Sequence, residues 1–351
     1  MPARYEIRAE LGRGGMGVVY RAFDRVLARE VALKRIRADW LDEEARKRFL
    51  REAELSARLA HPGIVRVHTL ACGSAGELDL VLELVEGVSL AARLRSGSLA
   101  PGEAALLAEN LARALAHAHA RGVLHRDLKP SNVLLRAEDG APTLTDFGLA
   151  RELAEHRERL TRTGEVLGSP ACMAPEQAAG ELARVGPATD VYGLGAVLFA
   201  ALTGRPPFAG KNLYSLLRQV LEAPPPRPSA LVPSVPRALD AVCLRCLAKA
   251  PEDRYPTAAA LAEDLARVRR GEPTRAEALA PESNRVASRR SLGAGLLATV
   301  LVGGACGALW LAGTAGPEGT PGAANSVRGR PPPPARTRPN GPRPRAARGS
   351  A

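Results

Sequence analysis

The hydrophobic pattern of this chain changes its period once, near residue 90, and this change restricts the fold more than any other feature. Up to about residue 85, short apolar runs alternate with turns and predict strands, interrupted by a single helical pattern at residues 41–60. Beyond residue 90, patterns of helical period continue to about residue 271. The chain is therefore expected to be of the α+β class, with a β-rich part followed by a helical part.

The predicted elements follow from this pattern. Strands are expected at residues 5–11, 17–24, 29–36, 64–73 and 78–85. Helices are expected at residues 101–122, 189–204, 212–222, 236–250 and 257–271, several with proline starts or glycine stops. A small hairpin is expected among these helices at residues 133–148.

Gly12, Gly14 and Gly17 form the pattern G-x-G-x-x-G, which lets backbone N–H groups approach phosphates. In a dinucleotide-binding unit such a loop is followed directly by a helix. Here β-branched and aromatic residues follow it, in the segment "VVYRAFD". The loop is therefore expected in a β-hairpin, which excludes the parallel strand–helix–strand arrangement.

Two later segments carry residue types suited to phosphoryl chemistry. The segment "HRDLKPSN" (125–132) places Asp127, Lys129 and Asn132 in one loop, where they could orient a hydroxyl, neutralise charge and hold a metal. The segment "DFG" (146–148) supplies Asp146, a hard oxygen ligand suited to Mg²⁺. Lys34, in the predicted strand "VALK", could grip phosphate oxygens, although alone it would be taken for an exposed lysine.

The order of the glycine loop, VALK, HRDxKxxN, DFG and APE resembles the eukaryotic-like (Hanks-type) Ser/Thr protein kinases of bacteria over residues 5–270. The resemblance implies a bilobal protein-kinase fold, with a β-rich N-lobe and a helical C-lobe. It implies non-specific serine/threonine protein kinase activity with ATP and Mg²⁺. It also implies that Asp190 braces the catalytic loop and that Arg254 pairs with Glu176.

The resemblance further implies a role for each site residue. Asp127 would orient the attacking hydroxyl, Lys129 would neutralise developing charge, and Glu52 would hold Lys34 in an ion pair. Asn132 and Asp146 would hold Mg²⁺. Leu82 would be the gatekeeper of the adenine pocket. The residues implied to hold ATP are Leu11, Gly12, Gly14, Gly17, Val19, Ala32, Lys34, Glu83, Val85 and Leu134, with Ala32 and Leu134 on either side of the adenine ring.

Protein substrates are the expected acceptors. Lys129, two residues after the catalytic Asp127, is typical of the Ser/Thr branch of the family, and "GSPACMAPE" points the same way. Ser169 and Cys172 depart from the residues usual in this segment, which leaves the peptide preference open. Arg126 usually meets a phosphorylated activation loop in this family. Thr161 and Thr163 are therefore expected to be autophosphorylated, with a homodimer as a partner in that step; exposed polar residues without such a role are the alternative.

The charge of the chain is concentrated at its end. The net charge is +12, but residues 285–351 hold ten arginines, no lysine and a single acidic residue, Glu318. The folded part is therefore nearly neutral, and no nucleic-acid partner is expected. The five cysteines are scattered and odd in number, which argues against a disulfide framework. Cys243 and Cys246 have metal-type spacing without a second ligand pair nearby, so packing is favoured over a metal or redox role.

A membrane anchor is expected after the kinase domain. Residues 271–290 are predicted to be a juxtamembrane linker, residues 291–314 a transmembrane helix, and residues 315–351 a disordered tail rich in proline and arginine. Arginines flank the N-terminal side of the predicted helix closely, which places the kinase domain in the cytoplasm of a single-pass membrane protein. A flexible Gly/Ala linker is the alternative to the helix.

Two other functions remain open at this point. A membrane-tethered pseudokinase scaffold would bind partners without catalysis, although Lys34, Glu52, Asp127, Asn132 and Asp146 are all present. A small-molecule phosphotransferase is disfavoured by "APEQ" and by the long segment 149–173.

Overall fold

The computed structural model describes residues 4–14, 17–36, 43–72, 78–147 and 170–279. They all belong to one compact unit, Met1–Ser291. In this unit a part built mainly of strands precedes a part built mainly of helices, as the change in hydrophobic period predicts.

The first sheet has five antiparallel strands in the order β1-β2-β3-β5-β4. The strands are β1 (Tyr5–Gly14), β2 (Gly17–Asp24), β3 (Arg29–Ile36), β4 (Val67–Cys72) and β5 (Leu78–Glu83). Strand β3 lies in the middle of the sheet and is buried on both faces from Val31 to Lys34. This central position explains how a lysine in a strand becomes a buried residue.

The glycine-rich segment lies where the antiparallel strands β1 and β2 follow one another, as predicted for a hairpin, with Gly14 opposite Gly17. A Cβ atom at Gly17 would lie 1.9 Å from the carbonyl oxygen of Arg35 on β3, so only glycine fits there. A Cβ atom added at Gly12 or at Gly14 would have no neighbouring atom within 4 Å. The backbone of β1 is therefore open on that side of the hairpin.

One helix, α1 (Glu43–Ala57), packs on this sheet and confirms the helical pattern predicted there. Phe49 and Ala53, one turn apart, are buried in a cluster with residues of β3 and β5. The members of this cluster are Ala32, Ile36, Phe49, Ala53, Val65, Leu78, Leu80 and Leu82. Full burial of an aromatic or aliphatic side chain contributes about 1.5–3 kcal/mol, so this stripe fixes α1 to the sheet.

A second, three-stranded sheet lies within the helical part. Its strands are β6 (Gly87–Ser89), β7 (Val133–Arg136) and β8 (Pro142–Leu144), in the order β6-β7-β8. The β7–β8 pair confirms the predicted hairpin. Leu144 of β8 also joins the two parts of the fold, since its N–H donates to Gly63 O and its carbonyl accepts from Val65 N, both at 2.8 Å.

The remaining elements are helices. They are α2 (Leu90–Leu94), α3 (Pro101–His119), α4 (Pro175–Ala178), α5 (Pro187–Thr203), α6 (Leu213–Glu222), α7 (Pro228–Leu231), α8 (Arg237–Cys246), α9 (Ala258–Arg270) and α10 (Arg275–Leu279). The five helices predicted after residue 90 are present to within a few residues, as α3, α5, α6, α8 and α9, and the short helices α2, α4, α7 and α10 were not predicted. Helix α5 ends at Gly204 and α9 at Gly271, both in the left-handed conformation that favours glycine at a helix end.

Helix α5 is the centre of the helical part, and nearly all of its residues are buried. Two of its glycines allow close approach of neighbouring segments. A Cβ atom at Gly193 would lie 2.7 Å from the Cβ of Leu128, and one at Gly195 would lie 2.4 Å from the Cβ of Cys246. Because Leu128 follows Asp127, this close packing fixes how near the loop that carries Asp127 lies to helix α5.

The two cysteines of α8 pack in the core, as expected. Cys243 and Cys246 are both fully buried, and Cys243 Sγ donates weakly to Gly195 O at 3.7 Å. Burial raises the pKa of both thiols, so they stay neutral and unreactive. Within the described ranges, no group of three or more His, Cys, Asp or Glu side chains could hold a metal ion.

The folded part extends further than the sequence predicts. Residues from 271 onward were expected to be a linker, but Arg275–Leu279 forms α10 and Ala276 is buried. Asp264 of α9 explains this, since its carboxylate accepts from Arg275 N at 2.8 Å and from Ala276 N at 3.0 Å. The rest of the predicted linker, the predicted transmembrane helix and the tail lie outside the described residues. Within the described part, no helix is long and apolar enough to cross a membrane.

Candidate active site

Asp190 of α5 anchors the backbone of the loop formed by residues 125–132. One carboxylate oxygen of Asp190 accepts from His125 N at 2.8 Å, and the other accepts from Arg126 N at 2.7 Å. His119 of α3 also contacts this carboxylate, with its Nε2 at 2.8 Å from Asp190 Oδ2. The expectation that Asp190 braces this loop is confirmed. The bracing holds Arg126 in a left-handed conformation, with φ of 64°.

Asp127, Lys129 and Asn132 lie in one loop, as the sequence predicts, and Lys129 and Asn132 both donate to the carboxylate of Asp127. Lys129 Nζ donates to Asp127 Oδ2 at 2.6 Å. Asn132 Nδ2 donates to the backbone carbonyl of Asp127 at 2.8 Å and to Asp127 Oδ2 at 3.1 Å. The carboxylate is only partly exposed, at 25%. It is therefore a fixed hydrogen-bond acceptor beside a positive charge, a geometry suited to orienting a hydroxyl.

Asp146 lies just beyond β8 and pairs with Lys34 of β3 across 112 residues of sequence, at 2.6 Å between Oδ1 and Nζ. Burial alone would raise the pKa of Asp146. The charge and hydrogen bond of Lys34 outweigh that effect, with smaller help from the charge of Lys129, so the pKa lies below its ordinary value. The carboxylate is thus ionised and able to bind a cation at neutral pH.

Lys34 has an ion-pair partner that the sequence did not predict. The structure pairs its ammonium with the carboxylate of Asp146. Both Lys34 and Asp146 are largely removed from water, and an ammonium buried in this way takes the carboxylate within reach, since an uncompensated buried charge is costly. Glu52 lies on α1, and its role toward Lys34 stays a prediction.

The residues implied to surround adenine share one apolar surface. Ala32 and Leu82 are members of the cluster between α1 and the first sheet, and Val19, Val85 and Leu134 pack against it. The register puts Val19 opposite Lys34 on the neighbouring strand. Leu134 reaches this surface from β7, in the helical part of the fold. Four of the residues implied to hold ATP therefore lie together with the expected gatekeeper, Leu82.

The other predicted nucleotide residues frame this surface. Leu11 and Gly12 lie on exposed β1, with Gly12 opposite Val19. Glu83 ends β5, its N–H donates to Arg66 O at 2.9 Å, and its carboxylate accepts from Arg136 at 3.0 Å. The backbone N–H of Glu83 is thus already engaged within the protein.

The segment after residue 169 is fixed to the helical part by a buried ion pair. Arg254 donates to both oxygens of Glu176, each at 2.8 Å, and both side chains are almost completely buried. Burial raises the pKa of Glu176, but Arg254 outweighs this and holds it below the ordinary value. The predicted pairing is confirmed. Cys172, in the same segment, is buried, which raises the pKa of its thiol to about 12.

A comparison with known protein families identifies the family to which this site belongs. The family described as "Protein kinase domain" matches residues 5–265 of the chain. The chain belongs to the protein kinase family. The five-stranded sheet with α1 is the N-lobe of the bilobal kinase fold, and the helical part with the small sheet is its C-lobe.

The chain is similar to three curated bacterial kinases. It is 40% identical over 287 residues to serine/threonine-protein kinase PknB of Mycobacterium tuberculosis, over 80% of this chain and 45% of PknB. It is 45% identical to the DNA damage-responsive serine/threonine-protein kinase RqkA of Deinococcus radiodurans, over 77% of this chain and 40% of RqkA. It is also 45% identical to serine/threonine-protein kinase PkaA of Streptomyces coelicolor, over 77% of this chain and 50% of PkaA. The match thus spans half or less of these relatives.

A solved structure agrees with this assignment. The crystal structure of the Mycobacterium tuberculosis PknI kinase domain superposes with a TM-score of 0.60, at 32% sequence identity. The match covers 75% of this chain and 96% of that domain. The matched part of this chain is similar in length to its kinase domain.

The donor set of this kinase domain fits Mg²⁺. Asn132 directs Nδ2 at Asp127, which leaves its Oδ1 as an oxygen donor, and Asp146 uses Oδ1 for Lys34, which leaves Oδ2. A carboxylate and an amide oxygen are the hard ligands that Mg²⁺ prefers, and it usually takes its remaining ligands from phosphate and water. These two residues therefore fit the predicted metal role.

Sequence reasoning missed several residues that hold the site. No motif in the sequence marks His119, yet its ring contacts the carboxylate of Asp190. His125 is fully buried, its Nε2 lies 3.0 Å from Thr145 O, and its ring lies 4.7 Å from that of Phe147. Burial lowers the pKa of His125, so it is neutral and links the catalytic loop to the Asp146 segment. The predicted phosphorylation sites, Thr161 and Thr163, and Ser169 lie outside the described residues.

Proposed function

We propose that this chain is a serine/threonine protein kinase that transfers the γ-phosphoryl group of ATP to hydroxyl groups of proteins, including its own. The observation that carries the proposal is the convergence of Lys129 and Asn132 on the carboxylate of Asp127, on a loop anchored by Asp190. A scaffold without catalysis would not need this arrangement. The similarity to three bacterial serine/threonine-protein kinases supports the same activity.

The nucleotide would bind between the lobes. Adenine would lie on the apolar surface of Val19, Ala32, Leu82, Val85 and Leu134, which excludes water from one face of the ring. The β1–β2 turn, with Gly12 and Gly14 open on one side, would cover the phosphates with backbone N–H groups. Lys34 would bind phosphate oxygens. Its ammonium would then contact the phosphate in place of the carboxylate of Asp146.

Asp146 and Asn132 would hold Mg²⁺, which when bound neutralises the charge of the transferring phosphates. Asp127 would accept a hydrogen bond from the attacking hydroxyl and orient it toward the γ-phosphorus. Lys129, already beside Asp127 at 2.6 Å, would stabilise the negative charge that develops during transfer. Positioning and electrostatics therefore supply the rate, because the chain forms no covalent intermediate in this scheme.

Three finer features belong to the same proposal. Protein acceptors would bind along the segment Pro170–Ala174, which the Glu176–Arg254 pair holds near Asp127. Thr161 and Thr163 would be phosphorylated in trans by a second copy of the chain. Residues 291–314 would anchor the kinase to the cell membrane with its catalytic domain in the cytoplasm, on the strength of their uncharged composition and the arginines before them.

Identification of the phosphorylated amino acid tests the proposed activity. The full chain is incubated with Mg²⁺, γ-labelled ATP and casein, and the labelled protein is hydrolysed to free amino acids. Phosphoserine and phosphothreonine are expected, from casein and from the chain itself. Label found only in tyrosine, or only in small molecules, would contradict the proposal.

Two variants serve as controls in this experiment. Asp146→Asn should abolish labelling, since it removes the proposed metal-binding carboxylate. Asp139→Asn makes the same change in the exposed turn after β7, where the side-chain oxygen accepts from Ala141 N at 2.8 Å. It should label as strongly as wild type.

A further inference from the structure

Gln177, on α4, bridges two segments of the site that are distant in sequence. Its Nε2 donates to the backbone carbonyl of Arg126 at 2.9 Å, across 51 residues. Its Oε1 accepts from Ala174 N at 3.2 Å. One half-buried amide side chain thus connects the catalytic loop to the segment that leads into α4.

The Arg126 carbonyl belongs to the peptide that carries Asp127. This peptide is planar, so fixing its oxygen also fixes the N–H of Asp127 and the direction in which Asp127 leaves the loop. The surrounding N–H groups are already held, Arg126 N by Asp190 at 2.7 Å and Asp127 N by His125 O at 2.9 Å. Gln177 supplies the hydrogen bond on the carbonyl side.

The backbone here needs such restraint. Arg126 has φ of 64°, and a left-handed conformation costs a residue with a Cβ about 1–3 kcal/mol. A strained peptide stays in place only when its neighbours fix it from several sides. Asp190 holds the N–H of Arg126 and His125 O holds the N–H of Asp127, and Gln177 adds the hydrogen bond to the carbonyl of the peptide between these two residues.

Helix capping alone does not account for Gln177. A glutamine or glutamate at the third position of a helix accepts from the N–H of the capping residue, and this explains the bond from Ala174 N. The bond to Arg126 O needs an N–H donor, which glutamate lacks when ionised. Glutamate would therefore cap α4 as well as glutamine does, but it would not hold the catalytic loop.

We propose that Gln177 is a positioning residue for phosphoryl transfer, whose amide locks the Arg126–Asp127 peptide and couples the segment Pro170–Ala174 to the acceptor-orienting carboxylate. The inference rests on the proposed kinase activity. Gln177 touches neither nucleotide nor acceptor in this scheme. Its effect should therefore fall on the rate of transfer and not on the binding of ATP.

The test compares Gln177→Glu with wild type in the full chain, using ATP and casein. At pH 8 the variant keeps the cap and loses the donor, and kcat is expected to fall about tenfold to a hundredfold, while the KM for ATP changes less than twofold. The matched control is Gln219→Glu. Gln219 Nε2 also donates to a backbone carbonyl, that of Ala209 at 2.7 Å, but this bond on α6 makes no contact with the loop that carries Asp127. The control should keep kcat within twofold of wild type.

The pH dependence of Gln177→Glu gives a signature that lost packing would not give. A protonated carboxyl can donate to Arg126 O again, so the deficit in kcat relative to wild type should shrink as the pH falls from 8 towards 5.5. An introduced carboxyl is expected to titrate above its ordinary pKa of about 4.3, because position 177 is half-buried and burial disfavours the charged form. The charged groups on the elements packed against α4 include cations as well as carboxylates: Arg126, Asp127, Lys129, Glu176, Arg184, Asp190, Arg218, Glu222 and Arg254.

Gln177→Met serves as a second variant, because it keeps the volume of the side chain without any hydrogen bond. Its deficit should be at least as large and should not change with pH. Thermal unfolding of each variant shows that the assayed protein is folded. Wild-type kcat in Gln177→Glu at pH 8, an equal loss in Gln219→Glu, or a deficit that is the same at every pH would overturn the inference. An inactive wild type would instead overturn the proposed function and, with it, the inference.

Discussion

Arg254 is the largest side chain that the described part of the fold buries completely, and it is charged. Its five donors are all used by oxygen atoms, two of Glu176 and three backbone carbonyls, those of Ala188, Ala248 and Lys249. A planar guanidinium matches this set, whereas an ammonium does not. At the scale of single residues, the segment before α4 is held by the shape of this group as much as by its charge.

Replacing Arg254 by lysine is therefore expected to destabilise the protein. Arg254→Lys keeps the charge but cannot reach both oxygens of Glu176 and the three carbonyls, and buried acceptors left without a donor cost about 1–3 kcal/mol each. We expect the free energy of unfolding to fall by about 2–4 kcal/mol, measured by urea denaturation of the full chain.

The matched control for this change is Arg184→Lys. Arg184 also pairs with two glutamates, Glu181 and Glu252, but its side chain is 47% exposed. This change should stay within about 0.5 kcal/mol of wild type. An equally small effect at Arg254 would contradict the role given to the buried pair.

At the scale of whole elements, α5 determines where the catalytic loop lies. It contributes Asp190, which holds the backbone of the loop, and Gly193, which lets Leu128 pack directly against the helix axis. Helix propensity alone would favour alanine at position 193. The glycine is explained by the close approach of the loop.

Gly193→Ala is expected to reduce both stability and activity. The added methyl group would meet Leu128 Cβ at 2.7 Å and push the catalytic loop outward, at a cost of about 1–3 kcal/mol. The control is Gly102→Ala, another helical glycine, in the first turn of α3, where an added Cβ meets nothing within 4 Å. Urea denaturation and kcat should show losses only at position 193. Equal behaviour of the two variants would refute the packing argument.

The segment between Asp146 and Pro170 is the element on which regulation would act. If Thr161 and Thr163 carry activating phosphates, the double variant Thr161→Ala, Thr163→Ala should show kcat reduced at least tenfold, since the charge expected to meet Arg126 is lost. The double variant with serine at both positions keeps the hydroxyls and should retain most activity. Full activity of the alanine variant would contradict an activating role for Thr161 and Thr163.

At the scale of the whole molecule, α10 is the last described element, and the uncharged segment 291–314 follows it in the sequence. If this segment spans the membrane, cell fractionation should place the full chain in the membrane pellet. Deletion of residues 291–316 should move the chain to the supernatant with its activity retained. Deletion of residues 317–340, in the tail, is a control that should leave the chain in the pellet. Equal distribution of the full chain and the 291–316 deletion would contradict the anchor.

The sequence was sufficient for features that depend on local pattern. Strand alternation predicted the hairpin around Gly14 and Gly17, and the segment "HRDLKPSN" predicted that Asp127, Lys129 and Asn132 would lie in one loop. It was not sufficient where distant segments compete for one partner. Asp146 takes the ammonium of Lys34, and Asp264 binds the N–H groups of α10. Such contacts depend on how elements pack, and no local pattern encodes them.

The central claim is that Asp127 acts in phosphoryl transfer and not in binding. Its most direct test is a single-turnover measurement with the full chain, ATP and casein, comparing wild type with Asp127→Asn. The account predicts that the affinity for ATP changes less than about threefold, while the rate of transfer falls by about 10²–10⁴, the range expected when a general base is removed. Transfer at the wild-type rate by Asp127→Asn would contradict the account, as would the absence of transfer by wild type.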